Sequence, residues 1–234
     1  MGVAVLQARL VESRVIAPEV KHFVFEVPEV EQLPYSPGQF VSFSREFDGK
    51  KVTRAYSTAS PPSGNRFELC LNRVQDGIFS PYLFEMEPGG TVEMKGPLGY
   101  FTLRYPPTDS IFVATGTGIA PFRGMLLGHL PHHPNLKFHL VFGVRYEASL
   151  MYRAEFEALA HRYPDFKFWP VLSRPESSWQ GRTGHVQPHV LEALDDRRDV
   201  DVYICGLKAM VDDMRTRLKE TGLDRKRILF EKYD

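Results

Sequence analysis

Apolar positions in the first hundred residues recur in short alternating or β-branched runs, each bounded by Pro, Gly or Asp. The runs cover residues 3–12, 21–27, 39–44, 52–57, 66–73 and 91–95. Closely spaced short strands with turn punctuation predict a small antiparallel barrel. One helix interrupts them, opening at Ser80-Pro81 with Ser as N-cap and Pro at the first helical position. After Tyr105-Pro106-Pro107-Thr108 the pattern changes. Apolar strands over 110–114, 137–142, 167–172 and 200–205 alternate with helical segments from Ala120 to about Gly128, over 150–162 and over 208–221. Nearly continuous apolar strands separated by helices predict a parallel sheet covered on both faces. The expected fold is two-domain: an N-terminal antiparallel β-barrel over 1–105 and a C-terminal α/β parallel-sheet domain over 106–234, hinged at the Pro pair.

Length agrees with that division, since 234 residues suit two domains of about 100 to 130 residues, each with its own core. Twenty-nine basic residues balance 29 acidic ones without a long like-charge run, so charge gives no reason to expect nucleic acid or an anionic membrane as partner. The two cysteines, Cys70 and Cys205, lie inside apolar runs. That usage suits a reducing compartment and leaves no cluster for zinc or iron-sulfur. Met1-Gly2-Val3-Ala4-Val5-Leu6 lacks a basic n-region, and Leu6 stands where a myristoylation signal carries Ser or Thr. A cytoplasmic protein without a membrane span is therefore expected. No metal is assigned. His129, His132 and His133 lack a cysteine or carboxylate partner at a recognised spacing, and Pro188 disfavours a regular helix that would align His185 with His189.

Candidate chemistry concentrates in a few turns. Ile111-Phe112-Val113-Ala114 runs into Thr115-Gly116-Thr117-Gly118, and a helix begins around Ala120-Pro121. Such a turn offers bare backbone N–H groups and a helix N-terminus to a diphosphate, although an ordinary strand-to-helix turn reads the same way. Arg54, Tyr56 and Ser57 supply a forked phosphate donor, a flat ring for stacking and a hydroxyl for a ring nitrogen. The trio suits an aromatic, phosphate-bearing cofactor; an exposed arginine beside a packed tyrosine is the plainer reading. Gly77-Ile78-Phe79-Ser80 is a second turn leading into a helix, hence a second place for a phosphate.

Taken in order, these stretches resemble the ferredoxin-NADP reductase superfamily over nearly the whole chain. Arg54-x-Tyr56-Ser57 resembles the family's flavin motif, in which the arginine binds FAD phosphate, the tyrosine stacks on the isoalloxazine and the serine lies near flavin N5. Gly77, Ile78, Phe79 and Ser80 resemble its pyrophosphate turn, while Pro37-Gly38-Gln39-Phe40 and Gly96-Pro97-Leu98-Gly99-Tyr100-Phe101 resemble two further flavin-domain signatures. Thr115, Gly116, Thr117, Gly118 and Pro121 are similar to the nicotinamide-nucleotide pyrophosphate turn. Cys205-Gly206 with Met210 resembles the motif whose cysteine sits near nicotinamide C4. Glu231-x-Tyr233 resembles a C-terminal pair in which a carboxylate assists the site and an aromatic ring covers the flavin.

The resemblance implies FAD and NADP as cofactors, with NAD as the other possibility. A 2'-phosphate calls for arginines near a strand end; Arg145, Ser173, Arg174 and Arg182 resemble the residues that meet it, which puts NADPH ahead of NADH. By the same resemblance Ser57, Cys205 and Glu231 are the catalytic candidates. Hydride would pass from nicotinamide C4 to flavin N5, and single electrons onward to ferredoxin, flavodoxin or another one-electron carrier. The alternatives are a flavin reductase that uses free flavin as substrate and a non-catalytic flavin-binding electron-transfer subunit.

Overall fold

The computed structural model describes residues 4–233. The expected strand start at Val3, the Gly2 acylation question and the position of Asp234 lie outside them. The chain divides into two compact units. The first comprises Met1–Thr102 with Ala120–Gly128, the second Leu103–Ile119 with His129–Asp234.

In the first unit six strands, β1 (Val5–Ala17), β2 (Val20–Glu26), β3 (Phe40–Phe47), β4 (Lys50–Ser57), β5 (Arg66–Asn72) and β6 (Thr91–Leu98), form one sheet in the order β4-β3-β6-β1-β2-β5. Every pairing is antiparallel. An isolated antiparallel bridge from Thr58 to Leu69 joins the chain leaving β4 to β5, so the two edge strands meet and the sheet curls toward closure. Alternation explains the core: Phe23 and Phe25 of β2, Phe43 of β3 and Phe67 and Leu69 of β5 are fully buried. Neighbouring phenylalanine rings among them lie 5.1 to 6.3 Å apart, within the range of attractive aromatic pairing. β1 runs on to Ala17, past the end expected from the sequence, because register shifts at Leu10/Glu12 and Val15/Ala17 bend it and break its simple alternation. The interrupting helix, α1 (Phe79–Phe84), opens at Ile78 rather than Ser80. Ser80 is not a cap, because its Oγ instead accepts the Val74 N–H at 2.9 Å.

The second unit holds a parallel sheet of β7 (Ser110–Thr115), β8 (Phe138–Val144), β9 (Phe166–Leu172), β10 (Arg182–Thr183), β11 (Asp201–Leu207) and β12 (Ile228–Tyr233). The order is β10-β9-β8-β7-β11-β12, with all pairings parallel. A helix, α2 (Ile119–His129), follows β7 directly along the chain through the turn Gly116–Gly118, and its residues 120–128 belong to the first unit. Helices α3 (Arg153–Arg162), α4 (Val186–Leu194) and α5 (Lys208–Glu220) complete the chain. α4 buries Val186, Val190, Ala193 and Leu194, and α5 buries Val211, Met214 and Leu218. Those spacings draw one apolar stripe along each helix, and both stripes join a single core with Ile111, Val113, Val141, Val171, Val202 and Ile204 of the strands. α3 places Phe156 against Phe168 of β9, 5.3 Å between ring centres. α4 forms despite Pro188, which falls in its first turn, where a backbone N–H has no helical acceptor to lose. His185 stays outside it as the capping residue. Among the described residues no helix is long and apolar enough to cross a membrane, and no group of three or more His, Cys, Asp or Glu is placed to hold a metal ion.

Candidate functional site

In the first unit β4 carries Arg54, Tyr56 and Ser57. Side chains alternate along a strand, so Arg54 and Tyr56 share one face while Ser57 turns to the other and is buried. The Tyr56 ring leans on Phe43 at 5.7 Å and Phe79 at 6.3 Å. Burial pushes its hydroxyl up to about 12, with the nearby Arg54 charge acting in the opposite direction. It remains a neutral phenol at any physiological pH. Arg54 is exposed, with one guanidinium nitrogen 2.8 Å from the Thr53 carbonyl.

Phe79 joins this strand to the second turn. The turn closes by Gly77 N–H donating to Val74 O at 3.0 Å, and buried Phe79 then packs on Phe47 at 5.7 Å and Tyr82 at 6.1 Å as well as on Tyr56. Ile78 is more than half exposed at the helix start. Arg54, Tyr56 and the 77–80 turn are therefore brought together by one aromatic cluster. Two further segments are knitted to the end of β4. Thr58 N–H and Oγ both reach the Gln39 carbonyl at 2.9 Å, and the Gln39 amide donates to Gly99 O at 3.0 Å.

In the second unit the parallel register lines up the carboxyl ends of the strands, where ligands of α/β sheets bind. Cys205 stands beside Ala114 on one flank and Glu231 on the other, and Leu207 beside Tyr233. The strand β12 that does this was not expected from the sequence, being a six-residue run of mixed character. Two glycines let the chain approach here: a Cβ on Gly206 would fall 2.2 Å from Thr115 Oγ1, and one on Gly118 2.4 Å from Cys205 O. Met210 Cε lies 3.0 Å from the former point.

Thr115 Oγ1 is buried without a hydrogen-bond partner among the described residues. A buried hydroxyl left unmatched costs free energy and fits a site whose partner arrives with a ligand. Gly116 adopts φ +54°, and the turn delivers α2 with Pro121 in its first turn, so a helix N-terminus and bare N–H groups follow immediately. Cys205 is fully buried. Burial first, and the Glu231 charge second, push its thiol well above the usual range, against a lowering by its hydrogen bond with Tyr233. It is held as a neutral thiol and is unsuited to nucleophilic attack.

The four residues expected at the 2'-phosphate separate into two settings. Ser173 N–H donates to Val144 O at 3.0 Å and Arg174 N–H to Arg145 O at 2.9 Å, which sets the two arginines side by side at the ends of β8 and β9. Both are exposed, and neither guanidinium has an ion-pair partner among the described residues. Arg182 differs, because its guanidinium bonds Glu192 twice, at 2.5 and 2.8 Å, and lies 3.5 Å from the Trp169 ring centre. Trp169 of β9 and His189 and Glu192 of α4 carried no sequence signal for this role, since only the packing of that helix on the sheet brings them to Arg182.

Residues 7–103 match the family model described as oxidoreductase FAD-binding domain, and residues 112–216 that described as oxidoreductase NAD-binding domain. The chain is 40% identical to ferredoxin--NADP reductase B of Sorangium cellulosum, over 97% of each protein. It is 31% identical to the anthranilate 1,2-dioxygenase electron transfer component of Acinetobacter baylyi, spanning 87% of this chain and 60% of that one. Among solved structures, the Amycolatopsis cytochrome P450 reductase GcoB superimposes with a TM-score of 0.90 at 30% identity, over 98% of this chain and 70% of that one. A ferredoxin NADP+ reductase from Neisseria gonorrhoeae shares the fold, with a TM-score of 0.83 at 23% identity over 99% of both.

Proposed function

Because the chain belongs to the ferredoxin-NADP reductase superfamily, and is thus an oxidoreductase that binds FAD and a nicotinamide nucleotide, we propose that it uses NADPH to reduce a separate one-electron carrier such as ferredoxin or flavodoxin. The observation that carries this reading is the carboxyl edge of the parallel sheet. There a buried, unmatched Thr115 hydroxyl, two close-packed glycines and Cys205 beside Glu231 meet in register.

When bound, the two cofactors supply hydride transfer from nicotinamide C4 to flavin N5 and the release of single electrons. The protein's own task is binding and orientation. We assign FAD to residues 1–105 and the nicotinamide nucleotide to 106–234. Arg54 meets phosphate, Tyr56 stacks on the flavin, Ser57 meets a ring nitrogen, and Gly77, Ile78, Phe79 and Ser80 form the turn at the pyrophosphate. Thr115, Gly116, Thr117, Gly118 and Pro121 take the second pyrophosphate, with Gly206, Met210 and Cys205 placing the nicotinamide. Glu231 and Tyr233, held in register with Cys205 and Leu207, supply the carboxylate and aromatic ring of that centre. A cytoplasmic setting agrees with two buried cysteines and no disulfide.

An absorbance spectrum followed by anaerobic stopped-flow mixing with NADPH and NADH tests the reading. A yellow protein bleached faster by NADPH is the expected result, whereas a colourless protein that bleaches only added flavin would replace it with a flavin reductase. Ser57→Ala should slow reduction of bound FAD by about tenfold or more, the worth of one lost hydrogen bond at the reacting ring, with FAD content unchanged. A wild-type rate would remove Ser57 from the catalytic set. Arg174→Ala should raise the KM for NADPH by roughly ten- to a hundredfold, as expected for a charge-assisted contact, and leave NADH nearly untouched. Equal effects on both donors would sink the 2'-phosphate assignment.

A further inference from the structure

We propose that Arg182 is a positioning residue: with Trp179 and Glu192 it forms a clasp that holds the 173–181 loop and so presents Arg174 to the 2'-phosphate, without itself touching that phosphate. The inference rests on the NADPH reading above and reassigns one of its four residues.

Arg182 pairs with Val171 in parallel register, which puts its side chain on the same face as Trp169, two residues back along β9. Its guanidinium lies over the Trp169 ring. Trp169 is three residues before the end of β9, about 10 Å from the edge where Arg145 and Arg174 sit. The side chain thus points away from that edge. Glu192 of α4 takes both terminal nitrogens in a fork, and the Arg182 bond holds the Glu192 carboxyl below its usual range. One of those nitrogens also meets His189 Nδ1 at 3.0 Å, while His189 Nε2 lies 3.0 Å from Thr183 O. An arginine can only donate and a carbonyl only accept, so His189 carries its proton on Nε2.

The backbone of the same residue fastens the loop. The Trp179 indole N–H donates to Arg182 O at 3.0 Å. The ring lies so close to Gly181 that a Cβ there would fall 2.3 Å from it. Arg153, held by Glu147 and Glu157, lies 5.4 Å from the ring centre. One residue therefore ties the loop to α4, with its carbonyl on the loop's tryptophan and its side chain on the helix.

Removing Glu192 separates a clasp from a direct ligand by sign. A phosphate-binding Arg182 would be freed from a competing carboxylate and bind more tightly; a clasp would loosen. The probes are 2',5'-ADP and 5'-AMP, titrated calorimetrically into the FAD-loaded protein, so the readout does not depend on turnover. Glu192→Ala and Arg182→Ala should each weaken 2',5'-ADP by about five- to tenfold with 5'-AMP changed less than about twofold, and the double variant should be no weaker than either single one, as for residues acting as one unit. Tighter 2',5'-ADP binding by Glu192→Ala overturns the clasp. If the unaltered protein binds the two probes equally, the NADPH reading fails instead, and amide exchange still tests the clasp. Residues 173–181 should exchange faster in both variants without any nucleotide, and unchanged protection there overturns it.

Discussion

Gly206→Ala is expected to slow flavin reduction by NADPH on the order of a hundredfold while FAD remains bound. Gly206 has φ +149°, a region side-chain-bearing residues enter at a cost of about 1 to 3 kcal/mol. The added Cβ would also sit 2.2 Å from Thr115 Oγ1, 3.0 Å from Met210 Cε and 3.1 Å from Thr115 O. Met210 can swing aside, and the threonine can change rotamer. The Thr115 carbonyl cannot retreat without pulling β7 away from β8, with which Thr115 is paired at Gly143. The alanine must therefore push apart the end of β7 and the end of β11 where it runs into α5, the place to which the nicotinamide is assigned. A displacement of about 1 Å at such a centre costs on the order of a hundredfold in rate. Anaerobic reduction measured beside the flavin absorbance checks this. Near-normal reduction by NADPH would show that Gly206 and Thr115 do not frame the nicotinamide.

The largest stability effect is expected from Arg123→Met in the first unit. Arg123 is only 8% exposed, and one of its nitrogens donates to Glu68 Oε2 at 2.5 Å and to Ala59 O at 2.7 Å. Methionine preserves volume and removes both bonds, leaving a carboxylate and a carbonyl under the helix. Breaking a buried pair from one side costs about 3 to 5 kcal/mol, and the Glu68 side chain, 30% exposed, points to about 3. Chemical denaturation at neutral pH should read that loss; a change below about 1 kcal/mol would mean that water replaces the guanidinium.

pH supplies a second check on the same network. His22 Nε2 lies 3.6 Å from Glu68 Oε2, and burial first, then the Arg123 charge, lowers its pKa to about 4. A histidine whose folded pKa is depressed contributes stability that is complete above about 6.5 and is lost as pH falls toward 4. In the variant the depressing charge is gone and Glu68 stands unpaired, so His22 takes up a proton more readily. The gap between variant and parent should therefore narrow between pH 6.5 and 4. A constant gap would show that His22 does not feel Arg123.

How much of this was written in the sequence depends on the range of the signal. Alternating runs with turn residues between them determined the antiparallel sheet, and apolar strands spaced by helices determined the parallel one, because side-chain direction along a strand is a local property. The glycine turns and the Arg54, Tyr56 and Ser57 trio were legible for the same reason, as backbone freedom and donor chemistry belong to the residues themselves. A local rule fails where it meets a local exception. Pro188 forbids a helix interior but not a first turn, and Ser80 next to Pro81 looks like a cap until Val74 claims its hydroxyl.

Partners were decided only by the tertiary structure. Nothing in the order of residues says that Arg123 will meet Glu68, 55 positions away, that Glu192 will take Arg182, or that β12 will set Glu231 beside Cys205. Those contacts exist because sheet register brings distant segments to one place, and a pairing between segments is settled by the burial of whole faces rather than by the two residues that end up touching.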